Sequence, residues 1–100
     1  MLTKFEILEV KSDGSNTIIG FKFLPIEIRN QISEGKIIYY KIHSIKRLHD
    51  GNIFTIGDHI KIENTESIGT INKLWIVFNK VKIFVGRLEL VLYDNIKQVR

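Results

Sequence analysis

Histidine, aspartate, serine and cysteine carry out much of the chemistry in proteins, and this chain does not space them as a catalytic or metal-binding set. His43, His49 and His59 lie six and ten positions apart, whereas structural zinc sites usually use closely paired ligands. Ser44 directly follows His43, so on a strand the two side chains point to opposite faces and do not form a nucleophile–base pair. The absence of cysteine excludes thiolate chemistry and disulfides.

The remaining polar residues with chemical potential occur at predicted turns. Aspartate is common in turns because its carboxylate accepts hydrogen bonds from the nearby backbone, and four aspartates fit this role: Asp13, Asp50, Asp58 and Asp94. Gly51, Gly57 and Gly69 are isolated and are not clustered ahead of a helix, as a phosphate-binding loop requires. We therefore predict a protein that is not an enzyme and that needs no cofactor or metal.

Cations and aromatic rings alternate near the carboxyl end of the chain. Cations that meet backbone phosphates and rings that stack on bases are the combination found in single-strand-binding barrels. The residues concerned are Lys73, Trp75, Lys80, Lys82, Phe84 and Arg87. This pattern predicts a nucleic-acid-binding surface in which Lys73, Lys80, Lys82 and Arg87 supply the positive charge.

The same segment also carries apolar side chains on both faces of a predicted strand. Leu74, Ile76 and Phe78 alternate with Trp75 and Val77, and Ile71 shares the phase of Trp75. Phe84 adds a ring on the opposite face from Ile83. A small barrel does not easily bury both sets, and surplus apolar surface commonly marks a partner interface. Trp75, Val77 and Phe84 are therefore predicted to form a protein interface.

The elements that position these residues are predicted to be mostly strands. Nineteen isoleucines and no alanine favour pleated sheet over long helices. Period-two patterns predict about six antiparallel strands, at residues 3–11, 17–24, 36–48, 53–63, 68–78 and 81–92. Such strands close most simply into an SH3-like barrel or a compact sandwich, which gives an all-β fold in a single domain spanning 1–100.

Turns and phase breaks delimit the predicted strands. Turn-forming residues occur at 12–16, 49–52, 64–67 and 79–80. The apolar phase changes after Ile7, at Ile45 and at Gly86, which predicts bulges or bends, and Gly57 marks a further bend. Residues 94–100 are predicted to form a short tail or a last half-turn.

One segment has the features of a helix. Pro25 suits the first helical position, Glu27 lies in the first turn, and Gly35 suits the position after the helix end. Ile28 and Ile32 lie four residues apart and are predicted to pack inward. The alternation of Ile26 and Ile28 also fits an extended segment, so the sequence leaves both conformations open for residues 25–34.

The net charge is +4, and residues 71–100 contain six basic and two acidic side chains. A basic surface of this kind meets phosphate or an acidic protein, and it also keeps a β-rich surface soluble. The charges in residues 1–6 and the short apolar run 74–78 predict neither a signal peptide nor a membrane span.

Residues 42–58 read Ile-His-Ser-Ile-Lys-Arg-Leu-His-Asp-Gly followed after two residues by Phe-Thr-Ile-Gly-Asp. This segment resembles an I-x-S-V-K-R-L-S-D-G-x-x-F-T-x-G-D motif of largely uncharacterised proteins from tailed bacteriophages, including crAss-like phages, and from their bacterial hosts. Residues 71–73 and 92–97 resemble its continuation. Tudor, KOW and BAH barrels show a loosely similar Gly-Asp turn, while residues 1–35 carry no resemblance.

The resemblance implies no catalytic residue and implies a place in the virion or the host cytoplasm. We expect an auxiliary or decorating capsid protein that docks on a larger protein lattice as part of an oligomeric assembly. A nucleic-acid-binding barrel is the main alternative. An adaptor or inhibitor of a host protein is the third, and it has no sequence feature of its own.

Overall fold

The computed structural model describes residues 2–12, 17–37 and 40–99. Nine strands and one α-helix occupy these residues. A 3-10 turn at Phe21–Phe23 precedes the helix α1, Ile26–Ser33. The strands are β1 Phe5–Lys11, β2 Ile18–Gly20, β3 Tyr40–Arg47, β4 Ile53–Thr55, β5 His59–Ile62, β6 Ile68–Val77, β7 Lys80–Val85, β8 Leu88–Val91 and β9 Ile96–Gln98.

All strand pairs are antiparallel and form one continuous, strongly bent sheet. Its main path runs β2-β1-β3-β6-β5-β9. β4 pairs with β3, and the β7–β8 hairpin extends the sheet from β6. The long strand β6 therefore pairs with β5 through residues 68–70 and with β7 through residues 71–77, and residues 74–76 of the latter part also pair with β3. This mainly β architecture confirms the predicted fold class of a small all-β barrel or sandwich.

The strand count differs from the prediction because glycines divide two of the predicted strands. Gly57 has φ +99° and separates β4 from β5, and Gly86 has φ +62° and separates β7 from β8. Both glycines lie in the left-handed region that other residues avoid, so the ladder stops there. The predicted tail also forms a strand, β9, which pairs with β5.

Tight turns join the strands at most of the predicted places. Gly51 has φ +72° and donates its backbone N–H to Arg47 O, and Asn64 also has a positive φ, +68°. The turn predicted at 79–80 instead comprises Phe78 and Asn79, with Val77 paired to Lys80. Of the predicted turn at 12–16, residues 13–16 lie outside the described part of the chain.

The predicted phase breaks coincide with irregular pairing. Between β1 and β3 the register shifts twice, once between Ile7 and Glu9 and again between Glu9 and Val10. An extra residue in each strand turns both Ile7 and Val10 into the core, where they are 6% and 0% exposed. Ile45, which also breaks phase, is fully buried.

The helix forms where the sequence offered two conformations. Pro25 lies at the N-cap position, one residue before the predicted first helical position, and makes no side-chain capping hydrogen bond. Gly35, with φ +71°, follows the C-terminal cap. Gly35 N–H donates to Ile32 O and Lys36 N–H to Gln31 O, which is the hydrogen-bond pattern of a Schellman motif. Ile32 is fully buried, so one face of α1 packs on the sheet.

The core consists mainly of branched aliphatic side chains from the strands. Its fully or nearly fully buried members include Ile42, Ile45, Phe54, Ile60, Ile71, Leu74, Ile76, Val81, Ile83, Leu92 and Ile96. Arg47 is buried among them. In the described part of the chain, no helix has the length and apolar character needed to span a membrane.

Candidate interaction surface

The register of four strands gathers most of the predicted cations and rings on one face. Residues that pair directly across an antiparallel sheet lie on the same side of it. One cross-strand row runs Lys41–Trp75–Lys82–Val91, a second runs Lys73–Phe84–Glu89, and a third pairs Val77 with Lys80. We call these residues the outer face, since the alternating residues Leu74, Ile76, Val81 and Ile83 are buried on the other side.

Two aromatic rings form the centre of the outer face. The ring centroids of Trp75 and Phe84 lie 5.1 Å apart with an interplanar angle of 57°. Lys73 Nζ lies 5.5 Å from the centroid of Trp75 and 5.9 Å from that of Phe84, within the range of cation–π attraction. Both rings are half-buried, so part of each ring is open to a partner.

The lysines of this face differ in how much charge they leave free. Lys82 forms an ion pair with Glu89, its diagonal neighbour on the β7–β8 ladder. Lys41 and Lys80 are exposed, and neither has an ion-pair partner among the described residues. The outer face is therefore a positively charged surface around an aromatic centre, and its most available cations are Lys41 and Lys80.

Two of the predicted site residues add little to the outer face. Val77 is only 7% exposed, so its side chain has little area to offer a partner. Arg87 is exposed in the turn after Gly86, at the opposite end of β7 from Lys80. Sequence reasoning missed Lys41, because its place beside Trp75 depends on the long-range pairing of β3 with β6.

Ile71 was expected to share the face of Trp75, and this expectation is wrong. The β6–β7 register shifts between Ile71 and Lys73, which places an extra residue in β6 at Asn72. The shift turns Ile71 inward, where it is 1% exposed. The apolar surplus of β6 is therefore smaller than its sequence suggests.

The segment at residues 42–58 that resembles phage proteins has structural roles in this chain. Arg47 is 1% exposed, and its Nε and Nη2 donate to Asp50 Oδ2 while its Nη1 donates to the carbonyls of Tyr93 and Ile96. Its guanidinium also lies 5.0 Å from the ring centroid of Phe54. The hydrogen bonds of Arg47 thus connect the 48–51 turn to the segment that precedes β9.

The aspartates of the same segment organise their own turns. Asp50 Oδ1 accepts a hydrogen bond from Asn52 N–H, and Asp58 Oδ2 accepts one from Thr55 N–H at 2.8 Å. The hydrogen bonds from Arg47 lower the pKa of the Asp50 carboxyl from 3.8 to about 2. Both aspartates fill the capping role predicted from the sequence.

The three histidines lie in three separate environments. His43 Nε2 is 3.9 Å from Glu9 Oε2, His49 Nε2 is 2.6 Å from Asp94 Oδ1, and His59 Nδ1 is 3.0 Å from Thr70 Oγ1. Within residues 2–12, 17–37 and 40–99, no group of three or more histidine and acidic side chains is placed to hold a metal ion.

A cleft of about 540 Å³ opens beside the outer face. It lies between the start of β1, the 78–79 turn and residues 91–95. We call it the rim cleft. Lys80 and Val91 belong both to its lining and to the outer face.

Comparisons with known protein families, with curated proteins and with solved structures find no match to this chain.

Proposed function

We propose that this chain is a non-enzymatic interaction module that docks through its outer face on an acidic surface of a larger protein assembly. The observation that carries the proposal is the cross-strand arrangement of lysines around the Trp75–Phe84 pair. Aromatic side chains and cations are enriched in protein interfaces, where the rings supply apolar area and the cations steer an acidic partner.

We further propose that the assembly is a bacteriophage particle and that the chain is an auxiliary or decorating capsid component. The resemblance of residues 42–58 to proteins of tailed phages supports this assignment. A lattice presents many identical sites, so a modest interface per copy suffices when many copies bind together. The small size and short connections of the domain suit repeated placement on such a lattice.

The test is whether the chain binds virions through the outer face. Virions of the phage that carries its gene are prepared without this protein, incubated with purified chain and sedimented. Wild-type chain is expected to co-sediment. The double variant Lys41→Glu/Lys73→Glu is expected to lose about tenfold or more of the bound fraction, because two attractive contacts with an acidic surface become repulsive.

Lys61→Glu is the matched control, since Lys61 is exposed on β5, outside the outer face. Circular dichroism checks that all variants are folded. An equal loss in the control and the double variant, or no binding of the wild type, would overturn the proposal.

Nucleic-acid binding is the second candidate, and the four lysines of the outer face favour it. Two features count against it. Lys73 already covers the rings on which bases would stack, and Lys82 is paired with Glu89. Among the described residues of this face, Lys41 and Lys80 are then the lysines that contact neither a ring nor a carboxylate.

A titration with labelled single-stranded DNA at 50 and 200 mM salt separates the two candidates. Four phosphate contacts would weaken binding about 50-fold across this range, whereas two would weaken it only about sevenfold. We expect weak binding with the smaller dependence. Micromolar binding with the larger dependence, abolished by Lys73→Glu/Lys80→Glu, would favour the nucleic-acid function.

A further inference from the structure

The rim cleft combines an apolar floor with a charged edge. Val81 and Leu92, which are 1% and 2% exposed, line its depth, and the half-buried Leu2 and Phe5 line one wall. Its volume of about 540 Å³ exceeds that of any single side chain. Concave apolar surfaces of this size with a few polar groups are typical of binding sites.

The exposed side chains at the edge of the cleft carry more positive than negative charge, with the ammonium groups of Lys4 and Lys80 against the carboxylate of Asp94. Lys4 and Lys80 are both exposed, and neither has an ion-pair partner among the described residues. Asp94, the acidic residue in the lining, has its Oδ1 2.6 Å from His49 Nε2. Arg47 also lines the cleft, but its guanidinium is engaged by Asp50 and two backbone carbonyls. A ligand that fits these walls is apolar in one part and anionic beside it.

The cleft is continuous with the outer face. Lys80 pairs with Val77 at the end of the β6–β7 ladder, and Val91 ends the row that contains Lys41, Trp75 and Lys82. A chain that lies across the lysines of the outer face therefore reaches the mouth of the cleft without leaving the positively charged surface.

We infer that the rim cleft receives an apolar side chain from an acidic segment of the partner protein, with carboxylates of that segment at Lys4 and Lys80. This inference rests on the proposed docking function and adds the chemistry of the partner. Buried apolar anchors carry most of the binding energy in protein interfaces, and exposed charged pairs around them mainly set orientation and association rate.

The experiment uses fluorescein-labelled peptides and fluorescence anisotropy. One peptide has aspartates around a single leucine, a second replaces the leucine by serine, and a third replaces the aspartates by asparagines. We expect the first peptide to bind wild-type chain about tenfold more tightly than either of the others, because each of the others loses either the anchor or the charge. Equal binding of the leucine and serine peptides would overturn the inference.

Two variants locate the effect. Thr3 is exposed at the cleft, so Thr3→Trp is expected to fill the cleft and abolish the preference for leucine, whereas Ser67→Trp, an exposed site elsewhere, is expected to keep it. Lys4→Glu is expected to weaken binding of the acidic leucine peptide about tenfold, because a carboxylate then meets the carboxylates of the peptide. Lys22→Glu is expected to leave the affinity for this peptide unchanged. If the Thr3→Trp variant still binds the leucine peptide more tightly than the serine peptide, the leucine binds outside the rim cleft, and the inference is overturned.

The inference and the proposed function fail separately. The double variant Lys41→Glu/Lys73→Glu leaves the cleft intact, so it is expected to keep the ratio between the leucine and serine peptides. Leucine-selective binding by a chain that does not bind virions would support the cleft and refute the capsid function. Virion binding without leucine selectivity would refute the cleft alone.

Discussion

Replacing Arg47 by alanine is expected to lower the free energy of unfolding by about 3 kcal/mol, since it removes a buried guanidinium together with its hydrogen bonds to a carboxylate and to two backbone carbonyls. In the variant, the Asp50 carboxylate loses its cationic partner. The backbone carbonyls of Tyr93 and Ile96 also lose their hydrogen-bond donor. Unsatisfied buried acceptors carry a desolvation cost in addition to the lost hydrogen bonds. Urea unfolding followed by tryptophan fluorescence measures the loss.

Arg87→Ala is the control, because it removes the same type of side chain from an exposed turn. We expect a change within about 0.5 kcal/mol for it. Arg47→Lys is expected to lose much of the stability as well, since an ammonium does not reproduce the guanidinium fork. If Arg47→Ala costs no more than Arg87→Ala, Arg47 does not hold the 48–51 turn to the segment before β9.

The same pair has a pH signature. The pKa of Asp50 is about 2 in the folded chain, whereas an aspartate without these contacts has a pKa of 3.8. The folded state therefore favours the ionised carboxylate. The stability from this group is therefore complete above about pH 4 and is lost as the pH falls towards 2. In Arg47→Ala the pKa of Asp50 rises, and this part of the acid dependence is expected to flatten.

Two glycines with nearly the same backbone conformation are expected to respond very differently to alanine. Gly35 has φ +71° and Gly51 has φ +72°. A Cβ at Gly35 would lie 2.6 Å from the carbonyl oxygen of Phe78 and would also clash with the side chain of Asn79, while a Cβ at Gly51 meets no described atom within 4 Å. Gly51→Ala is therefore expected to lower the free energy of unfolding by about 1 kcal/mol, which is the cost of the left-handed conformation alone.

Gly35→Ala adds overpacking against a backbone atom to that strain, and we expect a loss of about 3 kcal/mol or more. Urea unfolding of the two variants side by side isolates the contribution of the contact between the end of α1 and the 78–79 turn. Equal losses would mean that this contact is loose, and the wall of the rim cleft near Asn79 would then be poorly fixed.

The local features of the fold could be predicted from the sequence because they depend on near neighbours. Pro25 and Gly35 bound the helix, the turn containing Gly51 forms where it was predicted, and Phe54 and Ile60 alternate into the core. Gly57 and Gly86 were recognised as bends, but nothing in the residues around them indicated that the ladder stops there.

The composition of the candidate surface depended on pairings between distant segments. Lys41 joins Trp75 only through the register of β3 with β6, and the inward turn of Ile71 requires an irregular β6–β7 ladder. Arg47 was missed as a buried residue because arginine is almost always exposed unless it is paired. The signal that could have revealed it was Asp50 three residues later, in a turn beside a strand end.

The proposed function predicts that the gene of this protein lies in a phage genome. The most direct measurement of the central claim is the copy number of the protein in purified virions of that phage, determined by quantitative mass spectrometry against the major capsid protein. The proposed function predicts a fixed ratio to the capsid protein that is retained through density-gradient purification. Absence of the protein from purified virions, with the chain present in the infected-cell lysate, would contradict the proposal that it is a structural component of the particle.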